Sequence, residues 1–135
     1  MAVQMKLEVV PLVVADIDRS TRFYRDQLGF VVDLDIDAGP GGRRVQLTPP
    51  GSGCSIHLTA AGNSPSGTLQ GLILVVDDID AVRADLAGRG AEVSAIRHME
   101  DGAWVEGKGG RWNSFVHFTD PDGNLWMLQE RPAEE

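Results

Sequence analysis

The stretch 13-VVADID-18 returns at 75-VVDDID-80 with five of six residues unchanged. Each copy closes an apolar run, 9-VVPLVV-14 in the first and 72-LILVV-76 in the second, and each runs straight into aspartates. A short apolar run reads as a strand, and an aspartate at its end is suited to accept the orphan N–H groups that open a helix. The first copy continues with Ile17, Phe23, Tyr24 and Leu28, spaced for an amphipathic helix over 17–28 that Gly29 stops. In the second, Ile79, Val82 and Leu86 fall at i, i+3 and i+7, and Gly88 and Gly90 end the helix. The capping candidates are Asp16 or Asp18, and Asp78 or Asp80.

Strand-like runs follow each helix. They are 30-FVVDLDI-36, 43-RRVQL-47 and 54-CSIHLTA-60 in the first half, and 91-AEVSAI-96, 112-WNSFVHF-118 and 124-NLWMLQE-130 in the second. The Pro/Gly stretches 48-TPPGSG-53 and 120-DPDG-123 suit hairpin connections between the last two strands of each half. Each half therefore reads βαβββ, with module one at about 6–60, a polar linker at 61–68 and module two at about 69–130. A half of this size has little core of its own, so the expectation is one domain over 1–135 whose modules share a core. The first strand of each module alternates poorly, which predicts burial on both faces. The tail 131-RPAEE-135 reads as a frayed end.

The formal net charge of -8 argues against nucleic acid as a partner. A single cysteine, Cys54, leaves no internal disulfide and fits a reducing compartment; on its strand it reads as a packing residue. The N-terminal residues show no signal-peptide pattern, and no apolar run approaches the length of a membrane span. The expectation is a cytoplasmic protein.

The loop 102-GAWVEGKGG-110 matches the phosphate-binding pattern G-x-x-x-x-G-K-[ST] up to its last position, where Gly109 has no hydroxyl for Mg²⁺. A strand pattern follows it instead of a helix, and 97-RHMED-101 before it does not read as a buried strand end. Nucleotide binding is therefore not expected. Four glycines near Trp104, Trp112, Lys108 and Arg111 read instead as a mobile flap, either a solvated hairpin loop or a lid presenting an aromatic surface. The acidic run 33-DLDID-37 alternates with apolar residues and reads as a solvated strand face.

The duplicated unit, the helix motif D-x-x-x-S-x-x-F-Y-x-x-x-L-G-F (Asp16, Ser20, Phe23, Tyr24, Leu28, Gly29, Phe30) and D-P-D-G-N (Asp120 to Asn124) resemble the vicinal oxygen chelate superfamily. Its members include glyoxalase I, extradiol dioxygenases, fosfomycin-resistance enzymes and bleomycin-resistance proteins. The resemblance implies an α+β fold of two tandem βαβββ modules forming curved mixed sheets, with the ligand in the cups. It also implies a homodimer. Metalloenzyme members hold an ion at one position on the first and last strand of each module. Those positions fall here at Val9, His57, Leu72 and Met127, a set with one imidazole and three apolar side chains.

The expectation is therefore a protein without metal or cofactor that holds a small hydrophobic or aromatic molecule, with Val9, Leu72 and Met127 as an apolar floor. Trp104 and Trp112 are candidates to stack on the ligand, and Arg111 to contact it. Trp126 should face away from Met127 and pack under a helix. The alternative is a metal-free isomerase or lyase with His57 or His117 as general base and Arg111 or Lys108 stabilising an oxyanion. A further alternative is a metalloenzyme with an atypical site made by His57 and His117.

Overall fold

The computed structural model describes residues 2–37, 39, 42–62 and 65–133. Residues 63 and 64 of the expected linker, and 134 and 135 of the expected tail, lie outside the described residues. The chain divides into two compact units, Met1–Thr68 and Leu69–Glu135.

The first unit runs β1 (Val9–Val14), α1 (Ile17–Arg22), β2 (Val31–Asp37), β3 (Arg43–Thr48) and β4 (Ser55–Ala60), with sheet order β1-β4-β3-β2. β1 lies parallel to β4, as a strand must when a helix carries the chain back to the same side. Asp16 is the N-cap, accepting the Arg19 amide at 3.0 Å. Asp18 serves elsewhere: it pairs with Arg43 at 2.8 Å, and Arg43 also holds Asp35 at 2.9 Å, tying the helix to the sheet.

α1 continues as a π-helical segment over Phe23–Gln27, where the Leu28 amide reaches the Phe23 carbonyl five residues back at 3.2 Å. The wider turn accommodates buried Tyr24, whose ring lies 5.1 Å from that of Phe23 and 5.6 Å from that of Phe30. On the helix side the core is Leu12, Val14, Val45, Leu47, Ile56 and Leu58, all buried.

The second unit runs β5 (Gln70–Val76), α2 (Ile79–Gly88), β6 (Arg97–Glu100), β7 (Ala103–Glu106), β8 (Phe115–Thr119) and β9 (Leu125–Glu130), ordered β5-β9-β8-β6-β7. Asp78 caps α2 by accepting the Ala81 amide at 3.1 Å, the place Asp16 takes in the first unit. Ile79 and Leu86 of the helix, with Val116, Phe118, Trp126 and Leu128 of the sheet, form the buried side.

The DPDG turn is structural. Buried Asp120 accepts the amides of Asp122 and Asn124 at 2.9 Å each. Its other oxygen takes the Asn124 side chain at 2.8 Å, and Asn124 in turn accepts the Leu69 amide at 3.0 Å.

Two expectations are corrected. The stretch 91–96 is not a strand. The Ser94 carbonyl is taken by Arg83 at 2.7 Å and its hydroxyl by the His117 amide at 2.9 Å, so a regular ladder cannot form there. The strand begins instead at Arg97 and turns back through Asp101–Gly102, both at positive φ (51° and 80°), the two-residue turn that matches strand twist. Second, β5 is not buried on both faces: Ile73 and Val75 are 52% and 57% exposed. In its own sheet β5 is an edge strand, and β1, with Pro11 exposed, is one too.

Candidate functional site on the open sheet faces

Strand pairing decides which side chains share a face, because paired residues point to the same side of a sheet. In the first unit one row runs Pro11–His57–Gln46–Leu34. Val9 lies on the same face, one strand pair earlier, opposite Ser55.

His57 Nε2 lies 2.7 Å from Gln46 Oε1, and Gln46 Nε2 donates to Asp33 Oδ2 at 3.3 Å. Thr48 Oγ1 also donates to Asp33 Oδ2, and Ser55 Oγ sits 2.6 Å from Thr48 Oγ1. Asp33 reaches this face because β2 bulges between Val32 and Leu34. Sequence reasoning took Asp33 as part of a solvated face; an alternating acidic run gives no sign of a bulge.

In the second unit the corresponding row is Ile73–Met127–His117, with Val75–Gln129–Phe115–Arg97 beside it. The β6–β7 hairpin brings Trp104, opposite Met99, onto this face. The Trp104 ring packs edge-to-face on His117 at 4.6 Å and on Phe115 at 5.4 Å, yet stays 43% exposed. Burial, and then the charge of Arg97, push the His117 imidazole below its ordinary pKa, so it is neutral at neutral pH. Its Nδ1 is buried without a hydrogen-bond partner among the described residues.

The expected flap is a braced hairpin and loop. His98 Nδ1 bonds the Gly107 carbonyl at 2.8 Å and Nε2 bonds Glu100 at 2.9 Å, and these two bonds raise its pKa. Asn113 bonds both the amide and the carbonyl of Met99 at 2.9 Å. Lys108 lies 3.1 Å from Asp80 and 3.3 Å from Glu130, whose other oxygen takes the Ile79 amide at 2.9 Å. Lys108 is thus committed to two carboxylates and is not placed to stabilise an oxyanion.

Gly109 has a packing reason. A Cβ there would lie 2.4 Å from the Asn113 carbonyl oxygen, so the hydroxyl residue of a phosphate loop has no room. Trp112 is exposed at φ 62°, its carbonyl accepting from Gln129 at 2.9 Å, and Arg111 is exposed beside it.

The fold is shared with known proteins. A model of the Glyoxalase/Bleomycin resistance protein/Dioxygenase superfamily matches residues 6–128. This chain belongs to that superfamily.

Among solved structures it is similar to TnmS3, an antibiotic binding protein from Streptomyces sp. CB03234. The two are 31% identical, covering 98% of this chain and 99% of the other, with a TM-score of 0.77. A glyoxalase/bleomycin resistance protein from the same organism is also 31% identical, over 92% of this chain and 99% of its own, with a TM-score of 0.72. The curated relative YetH of Bacillus subtilis (strain 168), an uncharacterized protein, is 23% identical over 93% of this chain and 98% of its own.

The positions that the resemblance assigns to the ion of superfamily metalloenzymes, Val9, His57, Leu72 and Met127, carry one imidazole and three apolar side chains. Leu72 pairs with Trp126 and so points to the helix side, away from Met127; the bulge between Gln70 and Leu72 shifts the register, and Ile73 stands beside Met127 instead. The bulge residue is Gly71, at φ 112°, and a Cβ there would lie 3.8 Å from Met127 Cε. Trp126, 3% exposed, stacks on Phe118 on the helix side.

His57 spends Nε2 on Gln46, and Val9, Ile73 and Met127 supply no hard donor. Among the described residues no group of three or more His, Cys, Asp or Glu gathers to hold a metal. Divalent ions need several nitrogen or oxygen donors, and this set does not supply them.

Proposed function

We propose that this superfamily member binds a hydrophobic or aromatic small molecule, an antibiotic or a compound of similar chemistry, without a metal. The carrying observation is the Trp104–His117–Phe115 cluster, ringed by Met127, Ile73 and Met99 on an open sheet face. Exposed rings locked edge-to-face lose little freedom when a flat ligand covers them, and a thioether adapts to its outline. A neutral imidazole in the cluster costs less to desolvate than a charged one.

The similarity to TnmS3 supports the ligand class. Val9, His57, Met127, Trp104, Trp112 and Arg111 remain the proposed contacts, with Ile73 in place of Leu72. The net charge of -8 favours ligands that are neutral or cationic. Exposed Ile73 and Val75 on the edge strand β5 support a homodimer. No helix among the described residues is long and apolar enough to cross a membrane; a cytoplasmic site of action is part of the proposal.

Calorimetric titration of a panel of cationic, neutral and anionic aromatic antibiotics tests it. Micromolar or tighter binding of at least one, lost in Trp104→Ala, is expected. Binding of none, or binding indifferent to Trp104, overturns the reading.

A further inference from the structure

We infer that the first unit's sheet face is a recognition point for a hydroxyl-bearing aromatic ligand, with His57 Nδ1 accepting a hydrogen bond from the hydroxyl and Gln46 and Asp33 as positioning residues that set its tautomer. This rests on the small-molecule reading above and names a substrate class within it. Asp33 Oδ2 is the far end of the chain of bonds, and an ionised carboxylate only accepts. Gln46 must therefore turn its amide nitrogen to Asp33 and its oxygen to His57, as the 3.3 Å and 2.7 Å contacts have it. An oxygen facing Nε2 requires the imidazole proton on that nitrogen. Nδ1 is then left with a lone pair, and it has no hydrogen-bond partner among the described residues. It is also not a buried atom.

Thr48, donating to the same carboxylate oxygen with Ser55 behind it, keeps Asp33 in place. In the row Pro11 flanks the ring on β1 and Leu34 lies beyond Gln46, while Ser55, Thr59, Thr48 and Arg44 share the face. The side chains beside it are already engaged (Gln46 with Asp33, Thr48 with Asp33 and Ser55), so Nδ1 is an open acceptor of defined direction. A ligand with a donor to give is favoured, because one lacking it leaves that acceptor unpaired on desolvation.

Naphthol and methoxynaphthalene, in which a methyl group replaces the donor hydrogen, are the probes. Long-range proton–nitrogen spectra of the full chain read the His57 tautomer, and titration reads affinity and which histidine responds. The expected results are the Nε2–H tautomer in the free protein, a shift of His57 Nδ1 with naphthol only, and about tenfold tighter naphthol binding. Asp33→Asn, which does not touch His57, should mix the tautomers, because an amide at position 33 can donate and so lets Gln46 turn over. It should also bring the two affinities together. Gln46→Glu keeps an acceptor toward His57 and should retain the preference.

A free protein with the proton on Nδ1 overturns the inference, as does naphthol binding that leaves His57 unmoved or equal affinity for both probes. Each of those results leaves the aromatic-binding proposal standing. Binding of neither probe also overturns the inference, and the antibiotic titration then decides the aromatic-binding proposal separately.

Discussion

The row Pro11–His57–Gln46 of the first sheet and the row Ile73–Met127–His117 of the second hold equivalent places in two copies of one unit, yet no place carries the same residue in both. On the helix side the copies agree: Asp16 and Asp78 cap the helices, and Ile17 and Ile79 are both buried. Buried positions and caps determine whether a unit folds, so duplication preserves them. The open faces do not, and they have diverged into a hydrogen-bonded acceptor on one side and an aromatic, thioether surface on the other. The same scaffold thus provides two kinds of contact.

The comparison can be broken most forcefully at the turns. Asp120→Ala strips partners from one buried and one part-buried amide and from the Asn124 side chain, and should cost the second unit about 3 kcal/mol in a denaturant titration. In the first unit Ser52 holds the matching turn through exposed bonds to Cys54, so Ser52→Ala should cost no more than about 0.5 kcal/mol. Equal losses would show that the two units are not braced differently. Gly109→Ser completes the phosphate-loop pattern and places a Cβ against the Asn113 carbonyl. It should lose about 2 kcal/mol and gain no ATP-dependent rise in melting temperature.

On the ligand side, Trp104→Ala should weaken binding of an aromatic antibiotic by roughly tenfold to a hundredfold, while unfolding changes by less than about 1 kcal/mol. That split separates a contact surface from a structural one.

A smaller effect comes from two histidines of the second unit whose pKa values are shifted in opposite directions. His117, held below its ordinary value, contributes stability that is full above about pH 6.5 and lost as pH falls through its folded value. His98, held above, contributes stability that is full below about pH 6.5 and lost as pH rises through its folded value. Their combined contribution therefore peaks near pH 6.5. Denaturation between about pH 5.5 and about pH 7.5 should show His117→Gln flattening the acid side and His98→Gln the alkaline side.

The helices, the β1, β5, β8 and β9 strands and both caps were legible because each rests on a local signal: a 3.6-residue spacing, an apolar run, an aspartate before it. The β6–β7 hairpin was announced by 101-DG-102, the strongest two-residue turn signal, but the glycines after it drew the reading toward a flap. Leu72 was placed on the wrong face because a bulge shifts register by one residue and leaves no periodic trace beyond a glycine. Asp33 and Gln46 were missed for the same reason: a bulge on β2 and a cross-strand pairing are long-range facts that spacing along the chain does not encode.

The account's central claim is binding without a metal on these open faces. Its most direct test is the affinity of one aromatic antibiotic measured by Trp fluorescence before and after exhaustive treatment with a chelator, with the metal content of the same sample determined. An unchanged dissociation constant with no stoichiometric transition metal is the predicted result. A bound metal whose removal abolishes binding would contradict it.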